Sequence, residues 1–427
     1  MNTVTEREPI TSCAPRPDAP APCGADPAGT AQRYRSVARR VAVVVAMIAS
    51  ATVVIGGSAS WTVVRLAIVG LAGWGLLALD GRRPVVAAAA GAVTTAVGVG
   101  FLPYLVDEGP GWNGLAAIAL IVAGLSLVVL GTTDLVRRRR WWWQVLAGVL
   151  AVAALGVTVS VVAPSVLATN VPRPQLGETP AERGLDADSA TLTTSDGVDL
   201  AAWYVPSGNG AAVVLRHGAG STRSDVLDEA VVLARHGYGV LMTDAGGHGE
   251  SCGRAMDFGW NGDVEVAAAI EFLESEMGIE RIGLVGMSMG GEEVLGAAGA
   301  QPQVAAVVAE GATARRAADK AWLSDVYGVR GALQEQLERV QDGLTDLLTE
   351  ADPPTVLRDA VRRSDAAVLL ITAGAVPDEA HAAARIASGA PDRVEIWSVP
   401  GADHIDGLAT DPDGWEQRVI GILDANL

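Results

Sequence analysis

The sequence predicts two structural units in series: an α-helical transmembrane bundle, then an α/β domain with a mostly parallel sheet, helices on both faces and a small helical cap. Three observations lead there. Up to about residue 164 the chain is dominated by Ala, Val, Leu, Ile, Gly and Trp, in runs long enough to cross a bilayer. From there to the end, short apolar runs alternate with helical patterns. Charge divides at the same place: residues 1–164 hold 13 Lys and Arg against 8 Asp and Glu, and residues 165–427 hold 18 against 41.

A bilayer core takes about 20 apolar residues of helix. Five runs reach that length, at 41–59, 61–79, 84–106, 115–136 and 142–164, which gives a transmembrane region of about five helices over 37–164. The basic clusters fall on one side of it. Arg33, Arg35, Arg39 and Arg40 precede the first run, Arg82 and Arg83 join the second to the third, and Arg137–Arg140 join the fourth to the fifth. The alternate loops, 56–60 and 107–113, hold no Lys or Arg. The positive-inside rule then makes the N-terminus cytoplasmic and puts the second half outside the cell membrane. An alternative reads the first run as a signal peptide cleaved near Ser58-Ala59-Ser60, leaving four spans and the same outside location. Residues 1–36 read as a disordered cytoplasmic tail and 165–188 as a linker.

The acid excess of the second half repels phosphate backbones, so no nucleic acid is expected as a partner. Three cysteines, Cys13, Cys23 and Cys252, build no disulfide framework. No metal-ligand cluster, phosphate loop or nucleotide fingerprint is present, so no metal or cofactor is expected.

Within 189–427 the strand candidates are 191–194, 198–205, 211–216, 239–243, 281–285, 304–309, 366–372 and 394–398. Helical stretches lie near 224–236, 262–277, 289–300, 315–350, 378–388 and 412–426. In such a sheet the working residues belong at the C-terminal ends of strands. Gly286-Met287-Ser288-Met289-Gly290 sits there, between an apolar strand and a helical stretch. A turn that sharp strains its central residue, and flanking glycines remove the clashing side chains, so Ser288 is held up and exposed.

A serine hydroxyl needs a base to become a nucleophile. His404 follows the last strand candidate, where a base would be presented, and a carboxylate must fix its tautomer. The loop after 366–372 offers two, Asp378 as first choice and Glu379 as the alternative. An oxyanion hole needs two backbone N–H groups near the serine. Met289, next after Ser288, supplies one, and Ala219, in the His217-Gly218-Ala219-Gly220 turn, the other. His217, His248 and Asp244 read as structural.

The order His217-Gly218, then Asp244-x-x-Gly247-His248-Gly249-x-Ser251, then Gly286-x-Ser288-x-Gly290, then Asp378 and His404, resembles the α/β-hydrolase superfamily over about 189–427. The chain as a whole is similar to membrane-anchored hydrolases of the actinobacterial type. The resemblance implies a Ser288–Asp378–His404 triad and acyl transfer through a covalent acyl-enzyme. It departs from the pattern where Gly246 stands in place of the usual Arg, and where the acid loop is one residue longer, which keeps Glu379 in contention. The long stretch 311–363 reads as the cap, with Leu323, Val326, Leu333, Leu337, Leu344, Leu347 and Leu348 as its own core. The expected substrate is a small-molecule or lipid-like carboxylic ester or thioester, with membrane lipid as a further partner. An acyltransferase or peptidase would use the same triad, and a non-catalytic binding domain is the reading from another class.

Overall fold

The computed structural model describes residues 84–427 apart from 108, 110, 171 and 256. The runs at 41–59 and 61–79, the candidate cleavage site and the N-terminal tail lie outside the described residues.

The three remaining apolar runs are helical. Helices α1 (Pro84–Gly100) and α2 (Leu102–Asp107) form the first, α3 (Trp112–Val136) the second and α4 (Trp141–Thr169) the third, and all three are long and apolar enough to cross a membrane. The first two pack closely because small residues face one another. A Cβ built on Gly91 would lie 2.5 Å from the Gly124 carbonyl oxygen, and one on Gly124 would lie 2.6 Å from that of Gly91. Helix α4 does not end at Pro164, where the apolar run was read to stop, but continues through it to Thr169. The segment after it lies against the domain: the Arg173 guanidinium donates to the carbonyls of Gly249, Ser251 and Gly253, and Pro180 is buried.

All eight expected strands form. They are β1 (Asp188–Thr193), β2 (Asp199–Val205), β3 (Ala211–Arg216), β4 (Gly239–Thr243), β5 (Arg281–Met287), β6 (Val304–Glu310), β7 (Ala367–Ala373) and β8 (Val394–Val399). They make one sheet in the order β1-β2-β4-β3-β5-β6-β7-β8. The β1–β2 and β2–β4 pairs are antiparallel, and the rest are parallel. The inner parallel strands β3, β5, β6 and β7 are apolar along most of their length because helices cover both faces. One face is buried under α6 (Gly262–Ser275), α7 (Met289–Ala298), α9 (Leu357–Arg363) and α10 (Pro377–Ala387). The other is buried under α5 (Leu227–Arg235) and α12 (Pro412–Asn426), with the short α11 (Gly407–Thr410) beside it.

Between β6 and α9 the chain makes an excursion dominated by α8 (Leu323–Leu348), which turns sharply at Gly328 (φ 57°). Of the apolar residues read as the cap's core, Leu323 is buried, but Val326, Leu333 and Leu347 are exposed.

A buried ionic cluster holds the ends of β3, β4, α6 and α7 together. Arg216, fully enclosed, donates to Glu293 through Nε (2.8 Å) and Nη2 (2.6 Å), to Thr243 through Nη1 (2.8 Å), and to Glu265. The other Glu265 oxygen accepts from the Gly246 amide at 3.0 Å. Arg216→Met removes the cation and leaves two carboxylates buried without it. It should cost about 3–5 kcal/mol in chemical denaturation of the detergent-solubilised protein. A loss below about 1 kcal/mol would mean that the cluster relaxes into water.

Candidate active site

Ser288 sits between β5 and α7 with φ 54° and ψ −120°, a conformation that costs a non-glycine residue roughly 1–3 kcal/mol. The turn is possible because its neighbours lack side chains. A Cβ on Gly286 would lie 2.3 Å from the Gly290 carbonyl oxygen, and one on Gly290 would lie 2.4 Å from that of His217. The Ser288 amide donates to the Glu310 carbonyl at 2.7 Å, tying the elbow to the neighbouring strand β6.

Three side chains converge from separate strand ends. Ser288 Oγ lies 2.8 Å from His404 Nε2, and His404 Nδ1 lies 2.7 Å from Glu379 Oε1. The Glu379 carboxylate is buried, and its second oxygen accepts from the Ala373 amide at 2.7 Å. With Nδ1–H donated to a carboxylate, Nε2 is left to accept the serine proton. The hydrogen bond to Glu379 raises the pKa of His404 above its ordinary value; partial burial opposes this, and the charges of Glu379, Glu292 and Glu310 add to it.

Asp378, the first choice for the acid, does not meet His404. It is exposed on the first turn of α10, and its Oδ1 accepts from the Tyr327 hydroxyl of α8. Successive helix residues point about 100° apart, so of the two only Glu379 turns inward.

The Gly218 turn passes against the serine, where a Cβ on Gly218 would lie 3.2 Å from that of Ser288. Two histidines brace the turn. His217 Nε2 accepts from the Ala245 amide (3.0 Å), with Nδ1 on the Gly218 carbonyl (2.7 Å). His248 holds the Gly246 carbonyl (3.0 Å) and faces the Gly220 amide (3.4 Å). Burial, with the nearby Arg216 charge, pushes the His217 pKa well below its usual value, so the ring stays neutral. Asp244 accepts from the Arg223 amide and guanidinium and from the Glu250 amide.

Glu310 escaped the sequence reading. It is buried at the end of β6, with Oε1 accepting from the Gly407 amide (2.7 Å) and Oε2 from Trp415 Nε1 (2.9 Å). One residue thus holds the amide of Ser288 and the loop that follows His404. Its only signal was an acid closing an otherwise apolar run, Val304-Ala-Ala-Val-Val-Ala-Glu310.

Residues 208–400 match the family described as "Serine aminopeptidase, S33". The C-terminal unit has the α/β-hydrolase fold. Among curated relatives, the chain is 33% identical over 129 residues to the uncharacterized protein YfhR of Salmonella typhi, covering 29% of this chain and 43% of that one. It is 34% identical over 122 residues to the uncharacterized protein Rv2307c of Mycobacterium tuberculosis, covering 27% and 43%. The chain thus spans less than half the length of these relatives. Among solved structures it is similar to the Pyrococcus furiosus esterase Pf2001, at 21% identity and a TM-score of 0.48, over 60% of this chain and 98% of that one. It is also similar to a dienelactone hydrolase from Anabaena variabilis, at 18% identity and a TM-score of 0.41, over 57% and 98%.

Proposed function

We propose that this protein is a membrane-anchored serine hydrolase that cleaves a carboxylic ester or thioester through an acyl-enzyme on Ser288. The observation that carries the reading is the continuous relay from Glu379 through His404 to Ser288, at 2.7 and 2.8 Å. Ser288 Oγ attacks the carbonyl carbon while His404 Nε2 takes its proton. The amides of Met289 and Ala219 stabilise the tetrahedral oxyanion. His404 then protonates the departing alkoxide or thiolate. Water, activated by the same nitrogen, releases the acid and restores the serine. No metal or cofactor takes part in these steps. The substrate is a small-molecule or lipid-like ester, and nucleic acid is not a partner of so acidic a domain.

The side of the membrane follows from the basic loops: the N-terminus is cytoplasmic and the hydrolase domain extracytoplasmic. A membrane-impermeant fluorophosphonate applied to intact cells should label the native protein and not Ser288→Ala. Labelling only after lysis would reverse the topology and keep the enzyme. No labelling of the folded protein in either state would leave a non-catalytic domain. A second reading, cleavage of a peptide bond, is favoured by the description of the matched family. Turnover of aminoacyl amides in preference to esters would select it.

The reading fixes the sign of the pH dependence. The base must be neutral, and Glu379 holds the His404 proton to higher pH than usual. The acidic limb of kcat/KM should therefore lie above the ordinary histidine value of about 6.5, with activity rising through it as pH increases. In Glu379→Gln that limb should move to lower pH. A limb that stays in place would assign it to another group.

A further inference from the structure

Cap helix α8 is docked on membrane helix α4. Ser165 of α4 donates to the Gln341 carbonyl (3.3 Å), and Thr345 donates to Ser165 Oγ (3.2 Å). Leu348 packs on the cluster formed by Val97, Phe101, Leu120 and Val166 of the apolar helices. The level of this junction follows from helix geometry. At 1.5 Å per residue, about 20 residues from Trp141 bring α4 across the hydrocarbon core near Val161. There its environment changes: the buried residues of α4 are Val161, Ala163, Ser165, Val166 and Thr169, all in its last turns. The C-terminal end of α8 therefore stands where α4 leaves the bilayer.

From that end an apolar stripe runs along α8. Val329, Leu333, Val340 and Leu347 are 80%, 64%, 60% and 39% exposed, with the half-buried Leu337 and Leu344 between them. The spacing i, i+4, i+8, i+11, i+15, i+18 keeps all six on one face for roughly 27 Å. The far end lies next to Tyr327, whose hydroxyl reaches Asp378, the neighbour of Glu379. Acids off the stripe are engaged elsewhere, Glu338 with Lys320 (3.0 Å) and Asp342 with Arg316 (2.9 Å).

We infer that this stripe rests in the headgroup layer of the bilayer that α4 crosses, so that the site takes its ester from the lipid phase. Continuity with a membrane helix commits the stripe to lipid. The domain's acid excess adds no attraction to anionic headgroups, so the contact is apolar and insensitive to salt. The substrate half of the inference rests on the serine-hydrolase reading.

The test uses the full chain in phosphatidylcholine–phosphatidylglycerol vesicles, with Cys13, Cys23 and Cys252 changed to Ser and a polarity-sensitive dye on Leu333→Cys or Val340→Cys. The dye should emit as in an apolar medium and be quenched by nitroxide-labelled lipid, equally in low and high salt. A water-like spectrum without quenching would overturn the inference. So would disulfide formation between Leu333→Cys chains, which would assign the stripe to a second copy. These readouts need no activity, so they stand if the serine reading fails. With activity present, Leu333→Asp should lower turnover of a vesicle-borne long-chain ester about ten-fold, what loss of one leucine's burial is worth, and leave a soluble short-chain ester unchanged. Equal losses on both would assign the effect to cap folding and overturn the inference.

Discussion

Ser288→Ala should lower kcat on an activated ester by about 10⁶-fold, because it removes the hydroxyl that faces His404 and would carry the acyl group. His404→Ala should cost about as much, since the serine without its base is an ordinary alcohol. The double variant should be scarcely worse than either, because the two act as one unit. What remains, about 10³–10⁴ over the uncatalysed reaction, would come from binding and the oxyanion donors. Active-site-titrated kinetics on an activated aryl ester measures all three. A Ser288→Ala protein retaining more than about 1% of native turnover would sink the acyl-enzyme, because such residual activity exceeds what the hole alone supplies.

The second large effect separates two adjacent carboxylates. Glu379→Gln keeps the shape of the side chain but removes the charge that fixes the His404 tautomer and stabilises its protonated form. It should reduce kcat/KM by about 10⁴-fold. Asp378→Asn keeps an oxygen that can accept from the Tyr327 hydroxyl and removes only a charge on an exposed surface. It should change kcat/KM no more than about five-fold, the worth of one such hydrogen bond. Reversed magnitudes would restore Asp378 as the acid and make the Glu379 contact a resting-state feature.

This pair also marks how far the sequence could be read. Strand runs, the Gly286–Gly290 elbow and the position of His404 were legible because each depends on local pattern: apolar periodicity, missing Cβ atoms, or order along the chain. The choice between Asp378 and Glu379 depends on the rotational phase of α10, set by Pro377 at its first turn. One residue of phase turns a side chain by about 100°, and apolar periodicity fixes a helix start no better than that. The α8 leucines failed for a related reason. Their spacing specifies a face but not what that face meets, and Leu333 and Leu347 are left exposed among the described residues. Arg216 and Glu310 were invisible as functional groups because each closes an apolar strand, where a single polar residue reads as the strand's end.

Glu310 has a consequence for how accurately the site is assembled. Nucleophile and base arrive from loops about 116 residues apart in sequence, and independent loops would each contribute their own positional error. Here both are gauged from one residue: the Glu310 carbonyl holds the Ser288 amide, and its carboxylate holds Gly407 and Trp415. The tolerance on the serine–histidine distance is then that of a single side chain.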